Sequence, residues 1–187
     1  QGTILEHLLI QHLAAFYEVG AHNIFRLRGA DWNDALDMAA EHGESVAFTC
    51  AYAGNLRDLA GLLRRMAKEG DTVSLLEEIQ ELLAGGPAIY PDIPAKTTIL
   101  ERYTRRCIHN VSGRTVRVSF QELAENLEIK ADWLMEHIRR QEWISDGENG
   151  WFNSYYDNHG RPVEGVQPDG SVRMMLTGQV FAIMSGT

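Results

Sequence analysis

Apolar positions recur at helical spacing through most of the chain. Leu5, Leu8, Leu9, Leu13, Phe16 and Tyr17 mark one face of a helix opened by the capping box Thr3-x-x-Glu6. Val46, Cys50, Ala53, Leu56, Leu59, Leu63 and Met66 predict a longer helix from about Ser45 to Lys68, with Gly70 as its stop signal. Ser74-x-x-Glu77 reads as a second capping box and predicts a short helix carrying Leu75, Leu76, Ile79, Leu82 and Leu83. Gly85-Gly-Pro and Pro91-Asp-Ile-Pro94 read as a linker, because prolines at that density cannot continue a helix. Another helix follows through Ile99, Leu100, Tyr103, Cys107 and Ile108. From Ser119-Phe-Gln-Glu122, a third capping box, two more helices are expected, the second from Ala131 to Ile144. The period then changes. Trp151-Phe-Asn-Ser-Tyr-Tyr, the turn Asp157-Asn-His-Gly160 and Val172-Arg-Met-Met-Leu suit a short β-hairpin near residues 151–176, before Gln179-Val-Phe-Ala-Ile-Met opens a last buried helix. The fold class is therefore mainly α with one β excursion, and successive antiparallel helix pairs are compatible with a helical barrel.

Composition narrows the classes of function. Of 187 residues, 44% are hydrophobic, enough to build a packed core, which excludes wholesale disorder. A net charge of −9 offers no basic face for phosphates, so nucleic acid and anionic membranes are not expected partners. Cys50 and Cys107 stand far apart without a CxxC pattern and read as reduced, buried thiols of a cytoplasmic protein. No apolar run approaches the ~18 residues of a membrane helix, and neither end of the stretch reads as a signal peptide. The chain opens on Gln1 and stops where a helix has just begun, so residues 1–187 are expected to be part of a longer catalytic domain.

The densest polar cluster is Asp31-Trp-Asn-Asp34, with Asp37 beyond it and Arg26 and Arg28 before it. Its bland reading is a helix N-cap, with Asp31 accepting backbone N–H bonds, Asp34 in the first turn and Trp32 packing. The functional reading starts from repulsion: carboxylates this close oppose each other's ionisation, and burial can then hold one protonated as a general acid. An indole alongside is a platform for the apolar face of a sugar ring, and Asn33 could bond hydroxyls. Carboxylate and aromatic platform together suit a carbohydrate site.

Gly29-Ala-Asp-Trp-Asn-Asp-Ala-Leu-Asp37 resembles the segment, usually Gly-Asp-Trp-Asn-Asp-Gly, that holds the catalytic acid of glycoside hydrolase family 94, the inverting disaccharide phosphorylases. The resemblance continues through Ala131-Asp-Trp-Leu-Met-Glu-His-Ile-Arg-Arg-Gln-Glu-Trp-Ile, Gly150-Trp-Phe-Asn-Ser-Tyr-Tyr-Asp-Asn-His-Gly-Arg-Pro-Val-Glu and Gln179-Val-Phe-Ala-Ile-Met-Ser-Gly186, in the family's order. It implies a fragment of an (α/α)6 barrel. It also implies that Asp34 is the general acid, that Trp32 lines the subsite of the transferred sugar, and that Asp31 and Asn33 support substrate binding. Ala30 and Ala35 replace glycines common in the family, adding a methyl each. By the same resemblance the co-substrate is inorganic phosphate, with no organic cofactor and no metal, the partner is a β-linked glucoside, and there is room for a homodimer. The family's phosphate-binding elements lie outside this stretch, so the isolated chain is expected to be inactive. Phosphorolysis needs no enzyme nucleophile, since phosphate takes the place of the attacking water, and one carboxylic acid suffices for proton transfer.

Other motifs have plainer readings. His7, His12 and His109 show no metal-ligand spacing with a carboxylate. Trp133, Trp143 and Trp151 read as core or hairpin packing, and residues 157–160 as a turn to which His159 adds at most a substrate contact. Arg64-Arg65 and Arg105-Arg106 read as solvated helix faces balanced by nearby acids. Two alternatives come from other classes. One is a helix-turn-helix DNA reader over residues 119–140, opposed by Asp132 and Glu136 in the would-be recognition helix. The other is a non-catalytic, structural helical domain that keeps the motif.

Overall fold

The computed structural model describes residues 2–28, 38–68 and 70–187. Six α-helices carry most of the regular structure among them: α1 Ile4–Tyr17, α2 Val46–Met66, α3 Ile79–Leu83, α4 Ile93–Cys107, α5 Phe120–Gln141 and α6 Leu176–Ser185. The mainly α expectation holds. Four two-stranded antiparallel sheets accompany the helices: β1 Glu44–Ser45 with β6 Tyr155–Tyr156, β2 Thr72–Leu76 with β3 Thr115–Ser119, β4 Trp143–Ser145 with β5 Gly150–Phe152, and β7 Gly165–Val166 with β8 Val172–Arg173. The β excursion is thus several short pairs, one of them reaching back to residues 44–45, and not a single hairpin over residues 151–176.

The chain divides into two compact units, Gln1–Glu18 with Asn55–Ala131, and Val19–Gly54 with Asp132–Thr187. In the first, Thr3 and Glu6 form the expected capping box, and Glu6 also accepts the Leu76 N–H at 2.7 Å. Leu9, Leu13, Phe16 and Tyr17 are buried on α1, and the Tyr17 hydroxyl donates to the Ala84 carbonyl at 2.8 Å. Two expectations fail here. Ser74 opens no helix: it lies in β2 opposite Arg117, and α3 starts only at Ile79 with no side-chain cap. The proline-rich stretch is no plain linker either, since residues 87–89 make a 3-10 turn and Asp92 caps α4, accepting the Ala95 N–H with proline in the first turn. That is the position where a missing N–H costs nothing.

A single helix, α5, replaces the two expected after Ser119, whose hydroxyl accepts the Glu122 N–H at 3.0 Å. With no turn between helices at residues 119–140, the DNA-reading alternative loses its scaffold. Arg64 pairs with Glu128, Arg105 with Glu101 and Arg106 with Glu77 and Glu81, as charge-balanced surface faces should. In the first unit two lysines sit at 0% exposure. Lys96 Nζ lies 4.2 Å from the centre of the Phe16 ring, and Lys130 Nζ lies 5.3 Å from that of Tyr90 and donates to Asn126 Oδ1 at 2.7 Å. Burial pushes both ammonium groups down to about 7.

The second unit packs Ile24, Val46, Cys50, Ile138, Tyr156 and Ala182 into one core cluster and Leu27, Ala39, Ala47 and Tyr155 into another. Gln179 ties α6 to β5 through two bonds with the Phe152 backbone, at 2.7 and 2.9 Å. Trp151 is buried as expected, whereas Trp143 is half-exposed on its hairpin. Among the described residues, no helix is long and apolar enough to cross a membrane.

Candidate functional site

Asp31, Trp32, Asn33, Asp34 and Asp37 lie outside the described residues. The residues that flank them do not, and they form a built frame in the second unit. On the near side the chain turns at residues 20–23, where Asn23 takes a positive φ of 61°, a conformation asparagine tolerates better than most residues. It then runs through bridges that pair Val19 with Phe25 and Arg26 with Glu44. Leu27 N donates to Gly43 O at 2.8 Å, and Arg26 Nη2 donates to Glu41 O at 2.7 Å. On the far side Ala39 is fully buried and shares a cluster with Leu27. Both flanks of the motif therefore enter the same core, against Ala47 of α2 and Tyr155 of β6.

Glu44 organises the near side. It is 1% exposed, yet its carboxylate accepts the His22 N–H, the His22 Nδ1 at 2.9 Å and the Ile24 N–H at 3.3 Å. A buried carboxylate is tolerated only when bonded in this way. Gly20 is required there, because a methyl on it would overlap the Glu44 side chain. The His22 ring stacks on Tyr156 with centroids 3.7 Å apart and planes 6° apart, and the His22 carbonyl faces His137 Nε2 at 2.9 Å. Tyr156 in turn donates to Glu142 at 2.9 Å, and Asn153 donates to the same carboxyl group at 3.2 Å. Burial pushes the Glu142 carboxyl up, opposed by those two bonds, and burial beside Glu142 pushes the Tyr156 phenol up as well. This chain of groups is a buried polar network whose members hold one another in place.

The far side is held by the 157–160 turn. Asp157 accepts the N–H groups of His159 and Arg161 at 2.8 and 2.9 Å and pairs with the Arg161 guanidinium, and Gly160 takes φ 71°. Asn158 faces the flank. Its N–H donates to Met38 O at 2.7 Å, and its Oδ1 accepts the N–H groups of both Glu41 and His42 at 2.8 Å. His159, the residue singled out in the sequence, is exposed and makes no such tie. A cleft of about 330 Å³ is lined among others by Met38, Asp157, Arg161 and Arg173.

Sequence reading missed Glu44, Glu142 and Asn158. Glu44 directly follows a glycine and precedes a helix start, a weak local sign, and Asn158 looked like an ordinary turn residue. Their partners are distant in sequence, which no local pattern reveals.

Residues 1–85 match the family model for the glycosyl hydrolase 94 superfamily, catalytic domain. The matched span contains the Asp31–Asp34 motif and the near and far flanks, and it agrees with the family that the motif resembles. No match is found among curated proteins.

Proposed function

We propose, from the match of residues 1–85 to the glycosyl hydrolase 94 catalytic domain, that this chain carries the acid of an inverting glycoside phosphorylase built on an (α/α)6 barrel. In this reading Asp34 protonates the glycosidic oxygen of a β-linked glucoside while inorganic phosphate attacks the anomeric carbon from the opposite face. The C1–O bond to the leaving sugar breaks, a C1–O bond to phosphate forms, and an α-sugar 1-phosphate is released. Trp32 lines the subsite of the transferred sugar, and Asp31 and Asn33 bind or orient substrate. The observation that carries the reading is that the matched span includes a Trp flanked by Asp and Asn, directly before a second Asp, between two flanks anchored in one core. Phosphate replaces water as nucleophile, so one acid is enough.

Asp34→Asn in the full-length protein tests it. Phosphorolysis of oxygen-linked substrates should fall to background while the fold is kept, and wild-type turnover in that variant would refute the assignment.

A further inference from the structure

Among the described aromatic residues, Trp143 alone is more than half exposed, at 54%. It opens β4 opposite Phe152 of β5, with Ile144 opposite Trp151 and Ser145 opposite Gly150. Opposed residues of an antiparallel pair share a face. The hairpin therefore turns Ile144 and the buried Trp151 to one side, and Trp143, Ser145, Gly150 and Phe152 to the other. On that outer side the indole is braced twice. Phe152 meets it edge to face, with ring centroids 5.0 Å apart and planes at 76°. Gly150 gives it bare backbone to rest against, since a methyl at that position would overlap indole Cζ2 and Cε2. An aromatic ring held in this way has little rotamer freedom left to lose when something docks on it. The adjoining turn is polar and fixed as well. Asp146 Oδ1 accepts the N–H groups of Glu148 and Asn149 at 2.9 and 2.7 Å, and the Ser145 hydroxyl donates to the Asn149 carbonyl at 2.8 Å. Glu148 serves the turn through its N–H, and the residue is exposed at the tip.

We propose that Trp143 is a stacking platform for one glucopyranose ring of a β-glucan, with the Glu148 carboxylate at the hairpin tip accepting hydrogen bonds from its hydroxyls. A β-glucopyranose ring holds its substituents equatorial and its ring C–H bonds axial. Each face of the sugar is therefore apolar, and its rim is a belt of hydroxyls. The face suits the open indole, and the rim suits a carboxylate, which accepts from O–H groups. A lipid or an apolar protein surface laid on the same hairpin would strip water from Glu148 and offer it nothing in return. The choice of a β-glucan rests on the reading of the protein as one that acts on β-linked glucosides.

The test uses the full-length protein in phosphate-free buffer, with cellohexaose and a β-1,2-linked glucohexaose as probes. Hydroxyl-radical oxidation read by mass spectrometry reports the exposure of Trp143, and the buried Trp151 is the internal reference. Trp143 should oxidise while Trp151 does not, and at least one of the two glucans should protect it. In calorimetric titration, Trp143→Ala should bind the protecting glucan about tenfold more weakly, the scale of one lost aromatic contact. A Trp143 that resists oxidation, or that oxidises equally with and without both glucans, overturns the platform. Protection in the parent with undiminished affinity in Trp143→Ala overturns it too, because the shielding is then indirect. Where Trp143→Ala does not fold, the oxidation of the parent decides. Asp34→Asn separates this site from the acid. Lost phosphorolysis with no protection of Trp143 upholds the acid and removes the platform, and wild-type turnover with Trp143 protected does the reverse.

Discussion

Replacing Lys130 by methionine should stabilise the protein, and by an amount that depends on pH. Lys130 is fully buried on α5, where its ammonium meets the Asn126 amide oxygen at 2.7 Å, the Tyr90 hydroxyl at 3.5 Å and the faces of Phe16, Tyr17 and Tyr90. Burial takes its ammonium from an ordinary 10.5 to about 7. The folded pKa lies below the unfolded one, so the unfolded chain binds more protons, and stability climbs as pH rises from about 7 towards 10.5. Integrating that difference, the buried amine costs the fold about 4 kcal/mol at pH 7 and about 3 kcal/mol near pH 8.5. Methionine fills a similar volume without charge but forfeits the bond to Asn126, worth about 1 kcal/mol. The net gain for Lys130→Met is then about 3 kcal/mol at pH 7, shrinking to about 2 kcal/mol near pH 8.5. Lys96 adds in the same direction, because the Lys130 charge is one of the influences that push its pKa down. Urea unfolding followed by circular dichroism at the two pH values, variant against parent, reads the difference directly, and titrations common to both chains cancel. A destabilised Lys130→Met, or a gain of equal size at both pH values, would refute the reasoning.

Two further predictions concern Gly20 and the two cysteines. Gly20→Ala places a methyl on the Glu44 side chain and dislodges a carboxylate that accepts from the backbone of His22 and Ile24. It should cost about 2 kcal/mol or more in thermal or urea unfolding, and unchanged stability would show that the Glu44 network carries no weight. Cys50 is buried, and burial pushes its thiol up to about 12, while Cys107 is only half-buried. A thiol-specific reagent at pH 8 should therefore label Cys107 first and reach Cys50 only on unfolding, which mass spectrometry of the labelled peptides checks.

Helices were the legible part of this fold because their pattern is local. The stripe Val46, Cys50, Ala53, Leu56, Leu59, Leu63 is buried as its spacing predicts, and only Met66, at the frayed end, turns out to solvent at 65% exposure. Reading failed where a partner lay far away. Ser74 looked like a cap because Glu77 follows at the right distance, yet the strand it belongs to exists only through residues 115–119. The break assigned inside α5 has a different cause: Lys130 occupies a core position on the stripe Leu123, Leu127, Leu134, Ile138 and reads as polar, so the apolar run looked interrupted. The motif at residues 29–37 was visible in the sequence as a Trp among carboxylates, although it lies outside the described residues. Its frame was not, because Glu44, Glu142 and Asn158 act through residues 11 to 117 positions distant.

The way the flanks are fastened also separates two kinds of inheritance. Leu27, Met38, Glu41, His42 and Gly43 enter these ties through their backbone N–H and carbonyl groups, the side chains of Arg26 and Asn158 meet that backbone at Glu41 and His42, and Leu27, Ala39 and Ala40 pack apolar side chains on the core beneath. Backbone groups are indifferent to mutation. Substitutions at positions 41 and 42 therefore leave these ties standing, whereas substitutions at Arg26 and Asn158 cut them, so that the foundation's tolerance of change is concentrated at the residues that lend it only backbone.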